Sequence, residues 1–260
     1  MNELNTPRMS TVANGLIDVV QELGTVDYAY AVAKHEVSVT QYVEFLNKTA
    51  RLGDPKNLYS TTGELNVTNG HIGRAGNGIT SNPYVDSAKP GREGLPANYL
   101  TWEDAARFIN WMANGQRSIG TESGVYNMTE ESPSRSAEAQ VFLPSPDEWH
   151  KVAYYTPQTE AEGGPSLTPF YWRFPQQVDT PPTQAIIAPV TWEITNPVAH
   201  IANWGQDYLA SLTPYCNVDS GGAGTQSYFG VMHMGGNVVE WTEGQNSTAT
   251  PLNRDIRGGD

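Results

Sequence analysis

The stretch Tyr228-Phe-Gly-Val-Met-His-Met-Gly-Gly-Asn237-Val-Val-Glu240-Trp241-Thr-Glu243 decides how this chain is read. Two adjacent glycines followed by an asparagine mark a tight turn, because these residues accept left-handed backbone angles. The run that follows reads as a strand. Taken alone, the pattern describes a structural turn beside a core tryptophan, and its weight comes from what stands upstream.

Working back from it, Ser145-Pro146-Asp147-Glu148 places a cap, a proline at the first helical position and a glutamate at the third, the strongest helix start in the chain. Trp149, Val152 and Ala153 give that helix its buried face, and Asp147 and Glu148 read as helix-start residues. Thr101-Trp102-Glu103-Asp104 opens a second helix, with Trp102, Ala105, Ala106, Ile109 and Met112 at helical spacing and Gly115 as its stop. Ser38-Val39-Thr40-Gln41 has capping-box spacing, and Val39, Tyr42, Phe45 and Leu46 share one face. Alternation over 28–33 predicts a strand, and Val141-Phe142-Leu143 a short apolar one. Residues 51–98, 117–140 and 155–200 read as long loops, a length that often accompanies function. Without repeats or a linker, the reading is an arm or edge strand over 1–27 and one domain over 28–260.

Composition narrows the classes. A formal net charge of -13 repels nucleic-acid phosphates and anionic lipid, so neither is expected as a partner. The N-terminal residues lack a basic and apolar leader pattern, and no apolar run is long enough for a membrane span, so a cytoplasmic or virion location is expected. A single cysteine, Cys216, excludes any mechanism that needs two thiols within this polypeptide. His35, His71, His150, His200 and His233 are scattered without metal-ligand spacing.

In order along the chain stand Glu36-Val-Ser-Val-Thr-Gln41-Tyr42-Val-Glu-Phe45-Leu46, Pro96-Ala-Asn-Tyr-Leu-Thr-Trp102-Glu-Asp104-Ala105-Ala-Arg-Phe108-Ile-Asn-Trp111, Leu143-Pro144-Ser145-Pro-Asp-Glu148-Trp149, Ala202-Asn203-Trp204, Met234-Gly-Gly-Asn237-Val-Val-Glu240-Trp241 and Arg257-Gly258-Gly259. Each is weak, but six in this order resemble the formylglycine-generating-enzyme (sulfatase-modifying-factor) superfamily. The resemblance implies an irregular, loop-rich α+β fold of the C-type-lectin-like kind.

It also implies calcium as a structural ion. One site would use Asn203, the Trp204 carbonyl and Asp207; a second would use the Gly236 and Val238 carbonyls and the Glu240 carboxylate. His233 stands where a side-chain oxygen is usual. Catalytic relatives resemble copper oxidases with two cysteines soon after Arg-Gly-Gly; here the sequence stops at Asp260 and Cys216 lies upstream, so copper is not expected.

The functional expectation is therefore a non-catalytic ligand-binding or structural module, phage or bacterial and receptor-binding in type, displaying variable loops to a protein or glycan ligand. The alternative is a formylglycine-generating oxidase present as a fragment or needing a second chain. If the C-terminal segment is missing, an open sheet edge is expected to be filled by the N-terminal arm or by a second copy, giving a homo-oligomer.

Overall fold

The computed structural model describes residues 6–8, 21–66, 69–205, 215–245 and 254–259, with side chains described from residue 24 onward. Strands β1 (Thr6–Arg8) and β2 (Gln21–Leu23) pair antiparallel with each other. Helix α1 (Val39–Thr49) follows, then α2 (Thr61–Leu65) and the antiparallel pair β3 (Ile72–Ala75) and β4 (Val85–Ala88). Helices α3 (Trp102–Ala113) and α4 (Pro146–Tyr154) come next, then the short parallel pair β5 (Thr183–Gln184) and β6 (Ile201–Ala202). The hairpin β7 (Val239–Gln245) and β8 (Arg254–Gly258) closes the order. Among the described residues, four two-stranded sheets and a few short helices make an irregular, loop-rich α+β fold. No described helix is long and apolar enough to cross a membrane.

The three caps read from the sequence are formed, each as a full capping box. Ser38, Thr101 and Ser145 accept from the backbone N–H groups of Gln41, Asp104 and Glu148, whose side chains reach back to the cap residues. Helix α1 buries Val39, Tyr42, Phe45 and Leu46 as expected. Helix α3 is buried on two sides rather than one. Phe108 and Trp111 join Tyr42, Phe45 and Leu46, with Phe45 and Phe108 edge-on at 5.5 Å, while Trp102, Ala106 and Ile109 pack on Val125 and Tyr126. The expected stripe caught the second side, whereas Ala105 and Met112 are only partly buried. Burying an aromatic or large aliphatic side chain contributes about 1.5–3 kcal/mol, so this two-sided helix carries much of the packing energy.

Three expectations need correction. Residues 28–33 are not a strand: the segment is fixed by Tyr28 Oη donating to Glu148 Oε1 at 2.6 Å and Tyr30 Oη donating to the Glu148 carbonyl at 2.8 Å, so side-chain anchors replace a ladder. Val141–Leu143 is likewise irregular, because its partly buried side chains pack on α3 while Leu143 N–H donates to the Tyr126 hydroxyl. The stretch 51–98 is not all loop, since it holds α2 and the β3–β4 pair, organised by Arg74, which bonds Asp54 and Asp86 and lies over the rings of Tyr59 and Tyr84. Among the described residues, β1 and β2 pair with each other and not with β7 or β8.

Candidate functional site

The Gly235-Gly236-Asn237 turn is forced by close approach. A Cβ on Gly236, whose φ is +122°, would lie 2.5 Å from the Asn203 carbonyl oxygen. Asn237 itself has φ +66°, a left-handed conformation that asparagine tolerates better than most residues. Its backbone N–H donates to the Asn203 carbonyl at 2.8 Å. Its Oδ1 accepts from Asn203 Nδ2 (3.1 Å) and Cys216 N–H (2.9 Å), and its Nδ2 donates to Glu36 Oε2 (2.9 Å) and the Cys216 carbonyl (3.2 Å). One side chain thus joins four segments that are far apart in sequence.

From that hub β7 runs with alternating faces. Glu240 and Thr242 point inward, while Val239 and Trp241 line a cleft of about 420 Å³. Asn69, Asn98, Tyr99 and Trp204 complete its character, and among the described residues no charged side chain lines it. The tryptophan of the decisive motif ties the cleft floor to α3: Trp241 Nε1 donates to the Leu100 carbonyl, and Trp102 Nε1 donates back to the Thr242 carbonyl, both at 3.0 Å.

Behind the strand lie two carboxyl groups. Glu36 and Glu240 show part of their length at the surface, but Glu36 Oε1 and Glu240 Oε2 are sealed and accept no hydrogen bond among the described residues. Burial raises Glu36 to about 8, against the pull of the Asn237 amide and the Val238 N–H. Burial and the nearby Glu36 charge hold Glu240 well above the usual carboxylate range. The Trp149 indole N–H faces Glu240 and pulls weakly the other way, without closing a hydrogen bond of normal geometry. The two motifs near the C-terminus meet here: Glu240 is the register partner of Arg257, and a Cβ on Gly258 would stand 2.1 Å from Glu240 Oε2.

The remaining chemistry is quiet. Cys216 is sealed, and burial, with the charges of Glu36 and Glu193, pushes its thiol well up, so it holds its proton. Its sulfur is 4.0 Å from His233 Nε2. Burial lowers His71 and His233 to about 4, so both rings are neutral at physiological pH. Among the described residues no three His, Cys, Asp or Glu side chains group to hold a metal.

The residues expected as calcium ligands fall as follows. Asn203 is buried at the hub. Trp204 is exposed, and its carbonyl accepts from Gln184 Nε2 at 2.8 Å. Gly236, Val238 and Glu240 follow one another along the turn and β7. Asp207 lies outside the described residues. Sequence reasoning passed over Glu36 as a site residue, and also Asn69, Asn98 and Tyr99. Only the place of Glu36 at the head of a motif signalled its role.

The Sulfatase-modifying factor enzyme 1-like domain family matches residues 4–260. This chain belongs to the formylglycine-generating-enzyme, or sulfatase-modifying-factor, family. No curated protein and no solved structure matches the chain. Within this family member, the motifs that carried the resemblance converge on the Asn237 hub, the two carboxyls behind β7 and the cleft in front of it.

Proposed function

We propose that this family member is a non-catalytic module that binds an uncharged ligand in the cleft in front of β7. The observation that carries the reading is the cleft lining. Carboxamide and aromatic side chains converge there, and among the described residues the lining holds no charged group, no thiol and no general acid or base. The only thiol of the chain is sealed at the hub and protonated, which suits packing and not chemistry.

Calcium is proposed as a structural ion on the other side of the strand. The support is the state of Glu240: a sealed carboxyl oxygen bordered by the Met234 carbonyl in a space that a Cβ on Gly258 would fill, with a second buried carboxyl nearby and, among the described residues, no hydrogen-bond donor to it. Such a pair takes either protons or a hard cation. Glu240 with the Gly236 and Val238 carbonyls would hold the ion, and Asn203 with the Trp204 carbonyl would form the other expected set. His233 contributes no oxygen, which lowers the ligand count of the Glu240 set.

Family membership favours one second reading, a copper oxidase that converts a substrate cysteine to formylglycine. Two thiols from outside these 260 residues, or one joined to Cys216, would have to complete it. Incubating the purified chain with Cu(I), oxygen and a cysteine-containing peptide separates the two readings. The peptide is expected to stay unmodified by mass spectrometry, and conversion of its cysteine to an aldehyde would overturn the non-catalytic reading.

A further inference from the structure

We propose that the ligand of this cleft is a neutral carbohydrate. The inference rests on the reading of the cleft as a binding site and adds the chemical class of what fills it.

Two aromatic side chains stand at the cleft with their rings both exposed and fixed. Tyr99 is 37% exposed and sits at φ +58°, a conformation a tyrosine adopts only when its surroundings impose it. They do so here. Its ring lies on Gly63, where a Cβ would come within 3.1 Å of it, and its hydroxyl accepts from Asn66 Nδ2 at 2.8 Å. Trp204 is 38% exposed, and its indole N–H is tied to the Pro182 carbonyl at 3.1 Å. Solvent-facing rings held in this way lose little entropy on binding and offer an apolar face to the C–H face of a pyranose.

Between the rings the polar groups are carboxamides. Asn98 Nδ2 is committed to the Asn69 carbonyl at 2.7 Å, which fixes the side chain and leaves its Oδ1 to accept. Asn69 is 5% exposed and serves the cleft by holding Asn98 through that carbonyl. A fixed carboxamide oxygen accepts from a sugar hydroxyl group. Among the described residues no charged side chain lines the cleft, and the formal net charge of -13 disfavours anionic sugars and acidic peptides. At about 420 Å³ the cleft has the size of a small-molecule site and would hold a short oligosaccharide.

The test is calorimetric titration of the full chain with uncharged tri- and tetrasaccharides of glucose, galactose, mannose and N-acetylglucosamine, beside sialylated and sulfated counterparts. Trp204→Ala, Asn98→Ala and Tyr99→Gly are the variants; the last removes the ring while relieving the left-handed strain, so it retains the fold even if another does not. Binding of a neutral sugar that falls roughly tenfold or more in these variants, with unchanged melting curves, is the expected result. Binding confined to anionic sugars, neutral-sugar binding that survives all three variants, or no sugar binding at all would overturn the assignment. A neutral peptide bound in place of sugar, and lost in the same variants, would overturn the carbohydrate class while leaving the binding-module reading intact. Oxidation of a cysteine peptide would remove that reading itself.

Discussion

Replacing Glu36 with glutamine tests whether the carboxyl behind β7 is neutral in the folded protein. In a chelated, metal-free sample, folding raises Glu36 from an ordinary 4.5 to about 8, mainly by burial. A raised carboxyl pKa means the folded state binds more protons between those values. The stability it contributes is therefore complete below about 4.5 and is lost as pH rises toward 8. At about 1.4 kcal/mol per unit pH, flattening near the upper end, the loss between pH 6 and 8 is about 2 kcal/mol. The buried histidines oppose it. His71 and His233, lowered from 6.5 to about 4, are neutral in the fold and charge on unfolding below 6.5, so stability rises with pH over the same window. Together they contribute a gain of roughly 1.5 kcal/mol, and the raised Glu240 adds a loss of its own, in wild type and variant alike. Glu36→Gln keeps the Asn237 contact through its amide oxygen and removes only the carboxyl titration. Its change in stability from pH 6 to 8 should therefore be more favourable than that of wild type by about 2 kcal/mol. Urea unfolding of both proteins at pH 6, 7 and 8 in chelator measures this. Parallel curves for the two proteins would refute the burial of a neutral Glu36.

Calcium should reverse the balance, because an ion at Glu240 favours ionised carboxylates: excess calcium is expected to stabilise wild type by about 3 kcal/mol at a hundred times Kd, to raise its melting temperature more at pH 8 than at pH 6, and to lose this effect in Glu240→Gln. Gly258→Ala is expected to cost about 3 kcal/mol or more, since it combines φ +69° with a Cβ 2.1 Å from Glu240 Oε2, whereas Gly73→Ala, with nothing within 4 Å of its Cβ, should be near neutral by thermal denaturation. Arg135→Met should destabilise by about 3 kcal/mol, because Arg135 holds the fully buried Glu148 side chain through contacts of 3.0 and 3.2 Å; the double variant with Glu148→Gln should recover part of that loss in a urea melt. In the folded protein, Cys216 should resist aromatic disulfide reagents and react only at the rate of unfolding, followed by absorbance.

Local chemistry made part of this protein legible before any coordinates. Ser38, Thr101 and Ser145, each with its partner three residues on, determined where α1, α3 and α4 begin, because a cap bond spans only a few atoms of the same chain. The glycine pair before Asn237 determined the turn, and the ordered motifs determined the family. What failed in the sequence reading depends on remote partners. The segment 28–33 has strand-like alternation, yet its tyrosine hydroxyls are claimed by Glu148, 120 and 118 residues away. The two-sided burial of α3 required knowing that α1 covers one face and residues 125–126 the other. Glu36 and Glu240 are ordinary surface-type residues on paper. Only the tertiary structure seals their oxygens behind β7, where desolvation raises both above the usual range. The cleft was likewise invisible, because Asn69, Asn98, Tyr99, Trp204 and Trp241 come from separate segments that meet only through the Asn237 hub and the two tryptophan bonds joining α3 to β7.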